Sequence, residues 1–287
     1  LTGTPMNNYP ETPINLNKIN ENISKLVLIM EQLRDKQGGC EWDLEQTYET
    51  IAPYTIEEAY EVVEAIYESD MDKLCDELGD LLLQVIFHAQ IAHERGDFQL
   101  EDVISAVCDK MIRRHPHIFA KTEAKTVPEI RKTWEEIKQL EREQLSENKN
   151  AISLLDGIST TLPALTRAIK LQQRAAKIGF DWPSIYPAFE KMYEEIEELK
   201  IEIEADNPDK NKIQDEVGDI LFVATNIARI AGHEPETSLI LANRKFERRF
   251  KQMEVRSRNN TQNLQDLSLE ELEFYWVMAK NIEKNQP

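Results

Sequence analysis

Between residues 213 and 228, apolar side chains fall at Ile213, Val217, Ile220, Leu221, Ala224, Ile227 and Ala228. That spacing predicts a helix that is apolar around most of its circumference, and therefore buried. Glu216, Asp219 and Asn226 interrupt the apolar pattern, and steps of three and seven residues set them along one face. A second stripe, Phe189, Met192, Tyr193, Ile196, Leu199 and Ile203, predicts a preceding helix, and the stretch ADNPDK at 205–210 supplies the turn between the two. An antiparallel hairpin follows, with Glu195 and Glu198 of the first helix opposite Glu216 and Asp219 of the second. Burying a carboxylate without a partner is costly, and four in a small volume repel one another unless a cation lies between them.

The same pattern occurs earlier in the chain. TIEEAYEVVEAI at 55–66 resembles MYEEIEELKIEI at 192–203, and DELGDLLLQ at 76–84 resembles DEVGDILFV at 215–223. Upstream, GCEWD at 39–43 matches GFDWP at 179–183, with Arg34 and Arg174 each eight residues before the tryptophan. Downstream, the pair ending at Arg114 and Arg249 and the pair starting at Trp134 and Trp276 keep the order, and the offset drifts only between 135 and 142 residues. The expected architecture is all-α, a tandem duplication of one helical unit, each centred on an antiparallel hairpin. The expected boundaries are a flexible tail over 1–18, a first domain over 19–146 and a second over 151–287, with the join at SENKN, near Ser146 to Ala151.

Composition supports helix throughout, with 9 glycines and 7% aromatic residues in 287. Thirty-four basic against 53 acidic residues give a formal charge of −19, a field that repels nucleic acid and anionic membrane alike. An anionic substrate would need a cation or a local basic patch. Cys40, Cys75 and Cys108 are odd in number and have no metal-binding spacing, which fits a reducing cytoplasm. The most apolar run, Leu81 to Ala92, is broken by Gln84, His88 and Gln90 and is too short to span a membrane. His115 and His117 flank Pro116 without further nearby ligands, and neither they nor His88 and His93 are assigned a role.

Glutamate-rich helix faces are usually solvated surface. The acids of the returning helix are different because they lie among apolar residues. Ligation by carboxylate oxygen alone suits Mg²⁺, with Mn²⁺ as a substitute. E-x-x-E, a gap, then E-x-x-D on an apolar helix carrying Asn resembles the MazG family of all-α nucleoside triphosphate pyrophosphohydrolases. The likeness extends from about Asn20 to Lys284 and includes GCEWD, IAPYTIEE at 51–58, RRHPH at 113–117, LPAL at 162–165, GFDW at 179–182 and KFERRF at 245–250.

The resemblance implies Mg²⁺-dependent cleavage of an NTP or dNTP to the monophosphate and pyrophosphate by a homodimer, in which the hairpins complete a four-helix bundle; the net charge separately argues against a nucleic-acid or membrane partner. It implies metal ligation by Glu195, Glu198, Glu216 and Asp219, and phosphate contacts from Lys245, Arg248 and Arg249. Trp276 and Lys280, one turn apart, match base-stacking and phosphate positions, and Lys191, Tyr193 and Asn226 complete the substrate-binding candidates. Stacking accepts any base, consistent with broad specificity. Glu194 and Glu195 are the catalytic candidates, Glu194 as the group that orients the attacking water. Each candidate has a plainer reading: the basic residues as a solvated helix face, and Trp276 as a core aromatic.

The first unit retains Glu58, Glu61, Glu77 and Asp80 as a vestigial site, but has Phe87 where the second has Asn226. Glu58 is also explained as the third residue of a capping box with Thr55, whereas Glu195 lies well inside its helix. Activity is therefore expected in the second unit, with the first structural or regulatory. A di-metal carboxylate oxidase is an alternative, though neither acid helix has His at the matching position. A non-enzymatic dimer scaffold is another.

Overall fold

The structure is a computed structural model that describes residues 13–120, 126–145 and 153–285. Among them the regular elements are helices without a strand. The chain divides into two compact units, Leu1–Gln139 and Leu140–Pro287. The expected join at 146–151 and most of the expected tail lie outside the described residues. The first helix, α1 (Leu16–Leu33), starts inside that tail because the Asn15 side chain accepts from the Lys18 amide at 3.1 Å and caps it. No described helix is long and apolar enough to cross a membrane.

In the first unit, α1 is followed by the short α2 (Glu41–Glu45) and by the hairpin of α3 (Tyr48–Glu68) and α4 (Met71–Arg95). Then come α5 (Leu100–Arg114), the single turn α6 (Pro116–Phe119) and α7 (Val127–Leu145), which runs past the unit boundary. α1 and α5 pack against α4. The core gathers Met30, Ile51, Ile86, Phe87 and Ile91. Buried Arg34 is held over this core: its guanidinium donates to both carboxylate oxygens of Glu94 at 2.8 Å and to the carbonyl oxygens of Asp43 and Gln46, and it lies 5.4 Å from the Phe87 ring centroid.

The helix α3 begins seven residues before Thr55, so the expected capping box of Thr55 and Glu58 does not exist. Thr47 and Thr50 cap the helix reciprocally instead. Pro53, which marks a helix boundary in sequence, sits within the first two turns, and Ile51 beside it is buried in the core. The Thr55 hydroxyl lies mid-helix, 3.0 Å from His88 Nε2.

The second unit contains α8 (Ala164–Ala176), the hairpin of α9 (Tyr186–Glu204) and α10 (Lys210–Ile230), and the pair α11 (Pro235–Asn259) and α12 (Leu269–Asn285). The α9–α10 connection falls within the expected turn. Asp209 caps α10 by accepting from the Asn211 amide at 2.9 Å. α8 packs on α10, and the buried Gln172 amide donates to the Phe222 carbonyl at 2.8 Å. A buried cluster of Met253, Tyr275 and Ala279 joins α11 to α12.

The expectation that 213–228 is buried all round does not hold for a single copy of the chain. Val223 and Thr225 are buried, but Val217, Leu221 and Phe222 are exposed, Leu221 at 53%. α9 and α8 cover one side of α10 and leave an apolar face open, and α9 likewise exposes Tyr193, Ile201 and Ile203.

Candidate active site

Antiparallel packing of α9 on α10 brings Glu195, Glu198 and Glu216 together, with one carboxylate oxygen of each within 4.8 Å of the others. Glu195 is 4% exposed, Glu216 half-buried and Glu198 exposed, so the group opens outward from a buried floor. Partial burial, followed by the charges of Glu198, Glu195 and Asp219, pushes the Glu216 carboxyl above the usual carboxylate range. Asp219 stands outside the tight trio, though its charge reaches Glu216.

Lys191, one turn before Glu195, donates to Glu195 at 2.7 Å and to Glu194 at 2.8 Å. These two partners hold its ammonium in the charged form. Glu194, the candidate for orienting water, is therefore engaged in an ion pair, while Tyr193 projects into solvent at 72% exposure. Asn226 lies on the α10 stripe two turns beyond Asp219, and its side-chain carbonyl accepts from Arg229.

The basic candidates form a second group on α11 and α12. Arg248 and Arg249 both donate to Glu283, their Nε atoms at 2.6 and 2.7 Å from its two oxygens. Trp276 packs on the Met253 cluster, 5.2 Å from the Phe246 ring, with the Arg249 guanidinium 5.7 Å from its ring centroid. Lys280 follows one turn later, partly buried, and Lys245 is exposed. Arg248 and Arg249 share Glu283 and Arg249 also faces Trp276, and among the described residues none of this group makes an ion pair or hydrogen bond to the acid trio. Glu283, Arg229 and Asp181 are missing from the sequence-based set. Asp181 lies within the GFDW stretch, but its pairing with Arg229 spans 48 residues and has no local signal, and Glu283 lies outside every quoted motif.

The first unit repeats the acidic arrangement with a different membership. Glu58, Glu77 and Asp80 lie within 4.8 Å of one another, and burial, Asp80 and Glu61 raise Glu58. Tyr54 stands where the second unit has Lys191, and Phe87, 4% exposed, is a core residue. Gln84 Oε1, one turn beyond Asp80, is buried and has no hydrogen-bond partner among the described residues.

Comparison with known proteins adds independent findings. The family model described as MazG nucleotide pyrophosphohydrolase domain matches twice, at residues 46–119 and 188–254. The nucleoside triphosphate pyrophosphohydrolase of Escherichia coli (strain K12) is 46% identical over 261 residues, covering 91% of this chain and 98% of that protein. The nucleoside triphosphate pyrophosphohydrolase/pyrophosphatase MazG of Thermotoga maritima is 44% identical over 256 residues, covering 89% and 94%. YabN of Bacillus subtilis, an uncharacterized protein, is 42% identical over 254 residues, 88% of this chain and 51% of its own length.

Proposed function

The chain belongs to the MazG nucleotide pyrophosphohydrolase family, and from that premise we propose that the acid trio of α9 and α10 is where it hydrolyses nucleoside triphosphates to the monophosphate and pyrophosphate. The reaction places it among hydrolases acting on acid anhydrides. The observation that carries the location is the convergence of Glu195, Glu198 and Glu216 on one small volume beside an open apolar face.

The donor set fits a hard divalent cation. Three carboxylates crowd together, Glu216 is forced toward the neutral form in their company, and Lys191 offsets only part of the charge. Glu195, Glu198, Glu216 and Asp219 would hold Mg²⁺, or Mn²⁺ in its place. A cation there would offset the negative charge of the α- and β-phosphates. Glu194 can accept a proton from water once Lys191 turns from it toward a phosphate. Lys245, Arg248 and Arg249 would hold the leaving pyrophosphate, with Lys280 beside them and Trp276 under the base. Stacking and charge pairing through these residues do not by themselves discriminate between bases, in keeping with a broad range of NTPs and dNTPs.

The exposed apolar faces of α9 and α10 support a homodimer in which two hairpins form a four-helix bundle. Pairing of the hairpins would give both groups of candidate residues a route to a common substrate. The expected boundaries of 19–146 and 151–287 assign this catalytic role to the second domain and a structural or regulatory one to the first, in keeping with buried Phe87. Exposed free thiols at Cys40, Cys75 and Cys108 suit a reducing cytoplasm.

The test is an assay of purified chain with Mg²⁺ and single nucleotides, following monophosphate and pyrophosphate. Equimolar appearance of the two, abolished by chelator, is expected. Release of orthophosphate in place of pyrophosphate, or no turnover of any NTP, overturns the reading.

A further inference from the structure

Arg229 lies near the end of α10 and is largely buried. Its guanidinium makes two sets of bonds. Nη1 and Nη2 donate to the two carboxylate oxygens of Asp181, the first at 3.0 Å. Nε and Nη2 donate to Asn226 Oδ1 at 2.9 and 2.5 Å. Asp181 belongs to the Gly179–Trp182 segment that precedes α9, so one side chain ties that segment to the α10 stripe carrying the acids. The bond from Arg229 also holds the Asp181 carboxyl well below its usual range, keeping it charged and bidentate.

A guanidinium has five N–H donors and no acceptor. The atom of Asn226 that faces it must therefore be the amide oxygen, which fixes the side chain against a flip. The amide nitrogen, with its two N–H groups, is turned away from Arg229. Asn226 follows Asp219 by two turns on the same face, a rise of about 10 Å at 1.5 Å per residue. That is the scale separating the reacting phosphates of a nucleotide from its sugar and base.

The first unit provides an internal comparison. Its acid cluster is retained, yet Glu41, Phe87 and Gln90 occupy the positions of Asp181, Asn226 and Arg229. There the segment before the hairpin is secured by Arg34 through the Asp43 and Gln46 carbonyls. Arg34 also pairs with Glu94 of α4, so both halves tie this segment to the second hairpin helix. The form of the tie that engages a side-chain amide on the acid-bearing face is confined to the half in which Asn226 replaces a core phenylalanine.

Resting on the function proposed above, we propose that Arg229 and Asp181 are positioning residues that lock the Asn226 amide with its N–H donors toward the nucleoside, so that the site recognises a hydrogen-bond acceptor on the sugar or the base. The contact anchors the nucleoside equally in the bound substrate and in the transition state, so it contributes to affinity rather than to the chemical step.

The test uses the full chain and steady-state kinetics with Mg²⁺ and either ATP or dATP. Asn226→Asp keeps the shape and removes both donors. Arg229→Met releases the amide, and Arg229→Lys restores one donor. The expected result is a KM for ATP at least tenfold higher in Asn226→Asp and Arg229→Met, with kcat within about threefold of the parent, and partial recovery in Arg229→Lys. Arg229→Met combined with Asn226→Asp should be no worse than either alone, because the residues act as one unit. A matching loss of affinity for α,β-methylene-ATP, measured by calorimetry, separates binding from turnover. If the acceptor is the 2′-hydroxyl, the Asn226→Asp penalty shrinks with dATP; if it is on the base, the penalty is equal for ATP and dATP. Unchanged KM in both variants, or a fall in kcat alone, overturns the proposal. An unmodified chain that turns over no NTP overturns the underlying functional reading instead.

Discussion

Lys191 shows how a single side chain defines the state of the site. Its ammonium bonds Glu195, the most buried of the converging acids, and so occupies a position where a divalent cation would draw on the same carboxylate. Lys191→Met is expected to tighten Mn²⁺ binding several-fold in the absence of nucleotide, as read by electron paramagnetic resonance of free Mn²⁺. Equal or weaker binding would mean that the lysine does not compete. Glu216 gives a complementary test. Its folded-state pKa is raised, so the charged form destabilises the metal-free protein at pH 7, and that penalty is relieved as pH falls through the raised value. Glu216→Gln should abolish hydrolysis yet melt at or above the parent in chelator at pH 7, with the difference shrinking at pH 5. A lower melting point at pH 7 would contradict the repulsion. The acids themselves were legible from their three-residue spacing. Of their ion pairs, that of Lys191 with Glu194 and Glu195 has the three- and four-residue spacing of one helix face, whereas Glu283 lies 34 residues beyond Arg249 and carries no local signal.

At the scale of elements, the α9–α10 hairpin and its turn follow from apolar periodicity and from ADNPDK, because one helix face and one helix breaker suffice to define them. The start of α3 differs from the one implied by a Thr55–Glu58 capping box because Thr47 and Thr50 form the cap instead, and burial of Ile51 against α1 and α4 is a tertiary effect that local pattern does not contain. The breadth of the apolar surface of α10 was legible too, but its partner was not. Periodicity records that a face avoids water without recording which molecule covers it. Leu221 decides the matter experimentally. On a solvated face Leu221→Glu is expected to alter stability by less than about 0.5 kcal/mol. If two hairpins pair through this face, the same change buries a charge in an apolar contact and should halve the mass seen by sedimentation equilibrium. A parent chain that sediments as a monomer, or a variant that remains a dimer, removes this face from the proposed interface.

Across the whole molecule, duplication has left two acid clusters in different surroundings. Metal ligation alone would make the halves equivalent, and Glu61→Gln and Glu198→Gln would then reduce turnover alike. Phe87 and Tyr54 in place of Asn226 and Lys191 argue for inequality. Glu198→Gln is expected to eliminate pyrophosphate release, and Glu61→Gln to leave most of it. A dead Glu61→Gln protein with normal melting would assign catalysis to the first unit as well. Another asymmetry has a practical use: all three thiols, Cys40, Cys75 and Cys108, belong to the first unit and all are exposed. A maleimide fluorophore therefore labels one half of the chain and leaves the other dark. Heating the labelled protein should give a dye transition that reports the first unit, against a far-ultraviolet dichroism signal to which both contribute. Coincident curves would mean that the halves melt as one cooperative body, and separated curves would assign each its own stability without cutting the chain.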